Sequence, residues 1–229
     1  MKAGDIMPRG GKRDGAGRKK IGESDTVTIT TRIPEEVREE IEELGKGKFM
    51  KIFILFGPSG AGKGTFAKIL SRYMPRAISS TTRSPRKNEV NGEDYFFADN
   101  TEETMKEMRS SPAYDNQHRG VCYWTKESEF LKSDNVFCEM SKKGISDLKK
   151  HFGKENLIAI YIYAKPQECY ERILNRDGVD YAHMRMHNNY RENSFNDMGL
   201  GDYAIINTND NDFEKNKQLF AHIIKQNMI

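Results

Sequence analysis

The segment at residues 50–70 constrains the fold of this chain more than any other. An apolar run at residues 50–56 is followed by the glycine-rich stretch 57–65 and then by a short amphipathic stretch that continues to residue 70. A continuous apolar run is typical of a strand buried on both faces. Glycines after such a strand let successive backbone N–H groups turn inward around phosphate oxygens, at the positive end of the next helix. The order of strand, phosphate loop and helix therefore predicts an α/β fold with a parallel sheet.

The glycine-rich stretch matches the phosphate-loop pattern G-x-x-x-x-G-K-[S/T] at Gly57, Gly62 and Lys63. In such a loop Lys63 reaches the β and γ phosphates of a nucleoside triphosphate. Gly64 stands where a magnesium-binding hydroxyl is usual, and Thr65 follows one place later. The identity of the metal ligand is therefore left open. The alternative is a glycine-rich turn from strand to helix that binds nothing.

The charge of the chain is concentrated at its N-terminus. The net charge is +3 over 229 residues, yet the first twenty residues hold seven Lys or Arg and two Asp, so the remainder is slightly acidic. A net charge this small does not by itself predict nucleic acid binding. The three cysteines, Cys122, Cys138 and Cys169, lie far apart and form no C-x-x-C pair, which favours free thiols in a reducing cytoplasm. Since no apolar stretch is long enough to span a membrane, a cytoplasmic protein is expected.

Residues 1–46 divide into two parts. Residues 1–24 form a Gly-, Lys- and Arg-rich arm without apolar periodicity, which predicts disorder in isolation. Residues 25–46 begin with the alternating pattern of a strand, and Pro34 then opens a helical pattern with acids in its first turn. The chain therefore carries a small strand-helix extension ahead of the segment with the phosphate loop.

This strand and helix resemble the first half of a ribbon-helix-helix DNA-binding unit. In such units two chains pair their strands and place the polar face in a major groove, here Thr28, Thr30 and Arg32. The resemblance implies DNA binding through residues 1–46 and a homodimer through the N-terminal strand. It is incomplete, because the second helix of such a unit is missing before residue 49. The alternatives are a tail that only dimerises, or a strand and helix that pack on the main domain.

A second motif lies at residues 79–97. Arg83 and Arg86 are three positions apart, Pro85 between them stiffens the chain, and Tyr95 follows downstream. Guanidinium groups match phosphate oxygens with paired hydrogen bonds, and a phenol adds a neutral donor. The arrangement indicates a site for a dianionic phosphate, although an isolated basic loop is more often solvated.

The two motifs together resemble those of guanylate kinases, in which the signature S-x-T-T-R-x-P-R-x-x-E-x-x-G-x-D-Y forms the site for the nucleoside monophosphate. The resemblance covers residues 49–229 as one guanylate kinase-like domain. It implies a phosphate-loop parallel sheet flanked by helices, with monophosphate-binding and lid subdomains. It also implies that the γ-phosphoryl group of ATP is transferred, with Mg²⁺, to GMP or dGMP.

The resemblance also assigns residues to the site. The expected ATP contacts lie on the phosphate loop and at the end of the last strand: Gly57, Ser59, Gly60, Ala61, Gly62, Lys63, Gly64, Thr65 and Asn207. The expected contacts with the acceptor phosphate and the guanine are Ser79, Arg83, Arg86, Tyr95, Asp115, Tyr123 and Thr125. Lys63 and two lid arginines, Arg176 and Arg185, are the expected catalytic groups. Thr65 and, through water, Glu139 are the expected Mg²⁺ contacts.

Two further positions depart from the family pattern. Gapless alignment puts Tyr114 where guanylate kinases have their guanine-reading acid, so Asp115 takes that role only after a slip of one residue. Ser141 replaces the second acid at the end of the strand that carries Glu139. The sequence therefore leaves the recognition of the base open.

Three other functions stay open at this point. A ribose-bisphosphate kinase of the same fold shares the phosphate loop but lacks the T-T-R-x-P-R signature. A non-catalytic guanylate kinase-like module binds protein partners, although such modules usually lose the phosphate loop, which is intact here. The third is a DNA-binding regulator whose kinase domain senses nucleotide. His183 and His187 have the spacing of a shared metal site on a helix, but the missing third ligand favours a solvated or packing pair.

Overall fold

The structure is a computed structural model and describes residues 50–86, 89–116 and 121–229. The predictions made for residues 1–24 and 25–46 lie outside these residues. Within the described part the strands are β1 (Lys51–Phe56), β2 (Ser80–Thr81), β3 (Phe96–Phe97), β4 (Ala113–Asn116), β5 (Cys122–Thr125), β6 (Asn135–Glu139), β7 (Leu157–Tyr163) and β8 (Tyr203–Ile206). The α-helices are α1 (Lys63–Leu70), α2 (Glu102–Ser110), α3 (Glu127–Phe130), α4 (Lys142–Phe152), α5 (Pro166–Asp177), α6 (Val179–Arg191) and α7 (Phe213–Asn227). Short 3-10 helices cover Lys154–Asn156 and Ser194–Leu200.

The main sheet is parallel, with the strand order β6-β1-β7-β8. Its central strands are apolar along their whole length because both faces are covered, as expected for a parallel sheet. Alternate residues of β1 enter different cores: Phe53 and Leu55 pack on one side, and Ile52 and Ile54 on the other. The predicted α/β fold, with a parallel sheet flanked by helices, is confirmed.

Helices fill both sides of the main sheet. On one side, α1 and α7 bury Phe66 and Phe220, whose rings meet edge to face with centroids 4.9 Å apart. On the other side, α3 and α4 bury Phe130 and Leu148. Among the described helices, none combines the length and the apolar character needed to cross a membrane.

A second, smaller sheet has the order β3-β2-β5-β4, and its outer pairing of β4 with β5 is antiparallel. Trp124 of β5 anchors this sheet to α2, because its indole N–H donates to Glu107 Oε1 over 2.8 Å while Met108 of α2 packs in the same buried cluster. The opposite face of β5 carries Tyr123 and Thr125. The small sheet therefore presents one polar face beside the carboxyl ends of the main strands, where ligands bind in open α/β sheets.

Helices α5 and α6 meet at Gly178, which has φ 86°. Such a positive φ suits glycine and lets one helix end and the next begin within a single residue. Helix α6 packs its buried residues Ala182 and Met186 on the core of the main sheet. The helix pair thus packs against the main sheet and carries the two arginines expected in the lid.

Candidate active site

The phosphate loop connects β1 to α1 in a conformation that requires glycine at several points. Gly57, Gly60 and Gly62 have φ angles of 131°, 87° and 98°, a region that other residues rarely adopt. A Cβ atom on Gly57 would lie 2.2 Å from the carbonyl oxygen of Ile162, and one on Gly60 would lie 2.6 Å from that of Cys169. The loop therefore passes against backbone on both sides, and only glycine fits there.

The carbonyl groups of the loop are taken up by side chains from elsewhere. Lys63 Nζ donates to Gly57 O and Pro58 O over 2.8 and 2.9 Å. The amide of Asn189 donates to Ser59 O over 3.1 Å. Two further side-chain donors complete the set: Arg172 to Gly60 O over 3.5 Å and Asn207 to Ala61 O over 2.8 Å. The N–H groups of Thr65 and Phe66 donate to Gly62 O. With the loop carbonyls held in this way, the N–H groups of Lys63 and Gly64 at the start of α1 are the ones left for an anion.

Lys63 lies between the loop and the end of β6. Burial lowers the pKa of its ammonium group below the ordinary value, while the carboxylate of Glu139 opposes that shift. Glu139 also lies 3.7 Å from Arg76. Position 64 is open: apart from its chain neighbours and the backbone of α1, no atom of the described residues lies within 4 Å of where a Cβ on Gly64 would stand. Thr65 is exposed in the first turn of α1.

A cavity of about 470 Å³ separates the small sheet from helix α6. We call it the acceptor cavity. Six of the seven residues expected to hold the acceptor line it: Ser79, Arg83, Arg86, Tyr95, Asp115 and Tyr123. The seventh, Thr125, shares a hydrogen bond of 2.8 Å with Ser79 between their hydroxyl groups. Glu139 and Arg185 also line the cavity, so the loop side and the acceptor side share one cleft.

The arginines of the second motif differ in their pairing. Arg83 binds Glu89 through both of its terminal nitrogens, over 2.8 and 2.9 Å, and its Nε donates to the hydroxyl of Tyr123 over 3.3 Å. These hydrogen bonds from Arg83 hold the pKa of Glu89 below its usual value. Arg86 lies 3.6 Å from Glu89 and is half exposed. Arg83 is thus a charged group already paired within the protein, and Arg86 is the cation more available to a ligand.

The pairing of β4 with β5 distinguishes Tyr114 from Asp115. Asp115 is opposite Tyr123, and Tyr114 is opposite the buried Trp124. Because directly opposed residues of antiparallel strands share a face, Asp115 lies on the face of Tyr123 and Thr125. The Tyr114 ring instead lies 4.1 Å from Lys143 Nζ on α4. The register therefore brings the carboxylate, not the phenol, to the polar face of the small sheet.

The two expected lid arginines lie in different surroundings. Arg176 is mostly exposed and binds Asp177 through two hydrogen bonds of 3.0 and 2.7 Å. Arg185 reaches the phosphate loop, where its NH1 donates to Ser59 Oγ over 3.0 Å. Its Nε is buried without a hydrogen-bond partner among the described residues, 3.6 Å from Asp177 Oδ2. Burial, followed by the charges of Arg86 and Arg176, lowers the pKa of Arg185. This guanidinium is therefore poised for an anion that would relieve the repulsion.

The described residues include no group of three His, Cys, Asp or Glu side chains able to hold a metal ion. His183 stacks on Tyr170, with its Nε2 3.2 Å from the phenol oxygen, so it packs between α5 and α6. Mg²⁺ commonly binds through one or two carboxylates together with the phosphates of its nucleotide. Glu139, beside Lys63 at the end of β6, fits that limited role.

Several residues of this site were not singled out from the sequence. Glu89, which fixes Arg83, belongs to the signature but was given no role. Arg172 of α5 bonds Gly60 O and Asn207 O. Asn189 was missed altogether. Its signal is a polar residue at a buried position of α6, where helical periodicity calls for an apolar one.

Comparison with known proteins shows which family this chain is similar to. The family model described as guanylate kinase matches residues 49–227. A guanylate kinase of Helicobacter pylori is 33% identical over 186 residues, which cover 76% of this chain and 86% of that protein. One of Mycoplasma mobile is 36% identical over 141 residues, covering 55% of this chain and 69% of that protein. A crystal structure of guanylate kinase from Anaplasma phagocytophilum has the same fold, with a TM-score of 0.59, 22% identity, and coverage of 80% of this chain and 88% of that one.

Proposed function

The chain belongs to the guanylate kinase family, and we propose that its site transfers the γ-phosphoryl group of ATP to GMP or dGMP, giving ADP and the nucleoside diphosphate. One observation carries the proposal. Arg185 lines the acceptor cavity and also donates to Ser59 of the phosphate loop. A phosphoryl group that passes from the loop to the cavity would therefore meet this guanidinium on its way.

The chemistry asks for positioning and charge neutralisation. The attacking oxygen of a nucleoside monophosphate is already anionic, so the enzyme needs no strong general base, and most of the rate enhancement comes from alignment and electrostatics. Lys63 now holds two loop carbonyls. A triphosphate in the loop would compete for that ammonium and draw it onto the β and γ phosphates. Arg176, which shares Asp177 with Arg185, would add positive charge near the β and γ phosphates.

The acceptor phosphate is proposed to bind Arg86, Tyr95 and Tyr123. Burial raises the pKa of the Tyr95 phenol, which keeps it a neutral hydrogen-bond donor. Arg83 donates to Tyr123 and is held by Glu89, so it orients that phenol while adding positive charge. The phosphate would thus bind two phenols and one exposed guanidinium, and Arg83 and Glu89 already hold one of these phenols in place.

Mg²⁺ is proposed to bind mainly through the phosphates of ATP. When bound, the ion neutralises charge on the β and γ phosphates. Glu139 would orient water around the ion. Gly64 has no hydroxyl to bind it, and the next residue, Thr65, is proposed to supply one. The ATP base is proposed to lie against Asn207, whose amide also ties the end of β8 to Ala61 of the loop.

The direct test measures ADP formation with ATP and each nucleoside monophosphate in turn, with and without Mg²⁺. GMP and dGMP are expected to give rates well above AMP, CMP and UMP. ADP formation that does not depend on any acceptor, or the absence of turnover with GMP, would reject the proposal. Absence of turnover with GMP would favour a non-catalytic binding module, although the intact phosphate loop argues against such a module.

Asp115 is proposed to read the guanine base. Its carboxylate would accept hydrogen bonds from guanine N1 and N2, and the amide in Asp115→Asn can accept at only one atom. We expect Asp115→Asn to lower kcat/KM for GMP by about 30- to 100-fold, in keeping with 1–3 kcal/mol for a bidentate contact with a base. Discrimination against AMP should shrink by a similar factor.

The matched control is Tyr114→Phe. It removes only the hydroxyl at the position that gapless alignment would choose. Tyr114 also lines the acceptor cavity, but it is opposite Trp124 rather than Tyr123, and its ring packs against Lys143. Its kcat/KM for GMP is expected to stay at the wild-type value. A large loss in Tyr114→Phe together with a silent Asp115→Asn would mean that the base is read from the other face of β4.

DNA binding and dimer formation by residues 1–46 stay predictions, since those residues lie outside the described part of the chain. Gel-shift titrations at several salt concentrations, with the full chain and with one that starts at residue 47, would test the first. A salt-dependent shift lost with residues 1–46 would support it.

A further inference from the structure

Asn189 joins helix α6 to the backbone of the phosphate loop. The residue is only 5% exposed. The Ser59 N–H donates to its Oδ1 over 2.9 Å, and its Nδ2 donates to Ser59 O over 3.1 Å, between residues 130 positions apart. Asparagine is a weak helix former, and a buried amide is costly unless it is paired. The pairing with Ser59 therefore explains why a polar side chain occupies this buried position.

Arg185 binds the same loop residue from the same helix. It lies four positions before Asn189, on the same face of α6, and donates to Ser59 Oγ over 3.0 Å. Ser59 is thus held at three atoms: its N–H and carbonyl by Asn189, and its hydroxyl by Arg185. A single hydroxyl contact would leave Arg185 free to shift along the loop. The two bonds to the backbone fix how the helix stands against the loop.

We propose that Asn189 is a positioning residue for phosphoryl transfer, acting through Ser59 and Arg185. The inference rests on the proposed function. By holding Ser59 O, the amide keeps a partial negative charge turned away from the phosphates. By fixing α6 against the loop, it sets where the unpartnered Nε of Arg185 stands. Asn189 itself touches no substrate, so its effect is on the alignment of the groups that do.

The first variant, Asn189→Leu, keeps the number and branching of the side-chain heavy atoms, although leucine is bulkier, and removes both bonds to Ser59. A small misplacement of a group in the site can lower a rate by about 10²-fold. We therefore expect kcat with saturating ATP and GMP to fall by about 10²-fold. KM for GMP should change by less than about threefold, because Tyr123 is on the small sheet and Arg86 follows its strand β2, away from Asn189. Thermal unfolding shows whether the variant is folded, and a folded Asn189→Leu enzyme with wild-type kcat would overturn the proposal.

The second variant, Asn189→Asp, makes the contact depend on pH. A protonated carboxyl group has one donor and one acceptor, like the amide, whereas the carboxylate has acceptors only and would face Ser59 O. Burial favours the protonated form. The charged groups that contact the loop are Arg185 from α6, Arg172 from α5 and Lys63 from α1, and these cations favour the carboxylate, so the change is expected on the acid side.

The ratio of Asn189→Asp activity to wild-type activity should therefore rise as the pH falls from 8.5 to 5.5, by at least about tenfold. The ratio for Asn189→Leu should stay low and flat. Asn196→Asp is the matched control, since it adds the same charge at an exposed asparagine whose amide donates to Asn193, next to it on the surface. A flat ratio for Asn189→Asp, or a wild-type rate at pH 8.5, would contradict the proposal.

Amide hydrogen exchange at Ser59 tests the same contact without catalysis. The Ser59 N–H should be protected in the wild-type chain and in Asn196→Asp, and it should exchange faster in Asn189→Leu. This result separates the two proposals: a wild-type chain that fails to phosphorylate GMP removes the proposed function. An unprotected Ser59 N–H removes the positioning role of Asn189, whatever the activity.

Discussion

Replacing Lys63 by methionine is expected to lower GMP-dependent ADP formation by about 10³-fold. Removing one preorganised donor at a developing anion costs about 10²- to 10³-fold, and Lys63 also carries a full charge, which favours the upper end. Burial already lowers the pKa of this ammonium group, which indicates an environment that disfavours an unpaired charge. The phosphates of ATP would supply the missing partner. Methionine has a similar length but no charge, so the donor phosphates would lose both their contact and its neutralising effect.

Lys68→Met is the control for Lys63→Met. Lys68 is on the same helix, α1, and its side chain is exposed, so the substitution makes the same chemical change away from the loop. A coupled assay of ADP release should show near wild-type turnover for Lys68→Met. If Lys63→Met turned over at the wild-type rate, the phosphate loop would not be the donor site and the mechanism would fail.

The second large effect is expected at Arg185. A guanidinium that stabilises the charge of a transferred phosphoryl group contributes about 10³-fold or more to kcat. In this chain Arg185 lines the acceptor cavity, touches Ser59 and keeps a buried Nε without a partner. Lysine keeps the charge but lacks the planar fork that contacts two oxygens at once. We therefore expect Arg185→Lys to lose most of this factor in kcat, with a smaller change in KM for GMP.

Two other arginine-to-lysine substitutions serve as comparisons for Arg185→Lys. Arg191→Lys changes an arginine of the same helix that pairs with Glu192 at the surface, and it should leave kcat unchanged. Arg176→Lys should have an intermediate effect, because Asp177 already neutralises Arg176. Should Arg185→Lys keep the wild-type kcat while Arg176→Lys loses it, the roles of the two lid arginines would be reversed. Steady-state kinetics with ATP and GMP at saturation distinguish these outcomes.

The local motifs of the fold could be predicted because they are contiguous in the sequence. Gly57 and Gly62 are required by backbone angles that other residues rarely adopt, so their spacing in the sequence is enough to identify the loop. The apolar runs at β1 and β7 predicted buried parallel strands for a similar reason. The choice between Tyr114 and Asp115 could not be made this way, because they are neighbours and only the pairing of β4 with β5 determines which one shares a face with Tyr123.

The contacts that shape the loop are equally hidden from local reasoning. Asn189 binds a residue 130 positions away, and no local pattern encodes such a distance. A trace was nevertheless present: Ala182, Met186 and Asn189 occur at the spacing of one buried helix face, and the last of them is polar. A buried amide in an apolar stripe indicates a distant partner.

The side chains that occupy the loop carbonyls have a consequence for how ATP binds. Because Asn189, Arg172 and Asn207 hold the loop in shape before any nucleotide arrives, little conformational entropy should be lost there on binding, which is the advantage of preorganisation. A larger share of the favourable free energy of the phosphate contacts should therefore remain as affinity for ATP. We therefore expect the donor pocket to be largely preformed, with Lys63 as the group that exchanges its two loop carbonyls for phosphate oxygens.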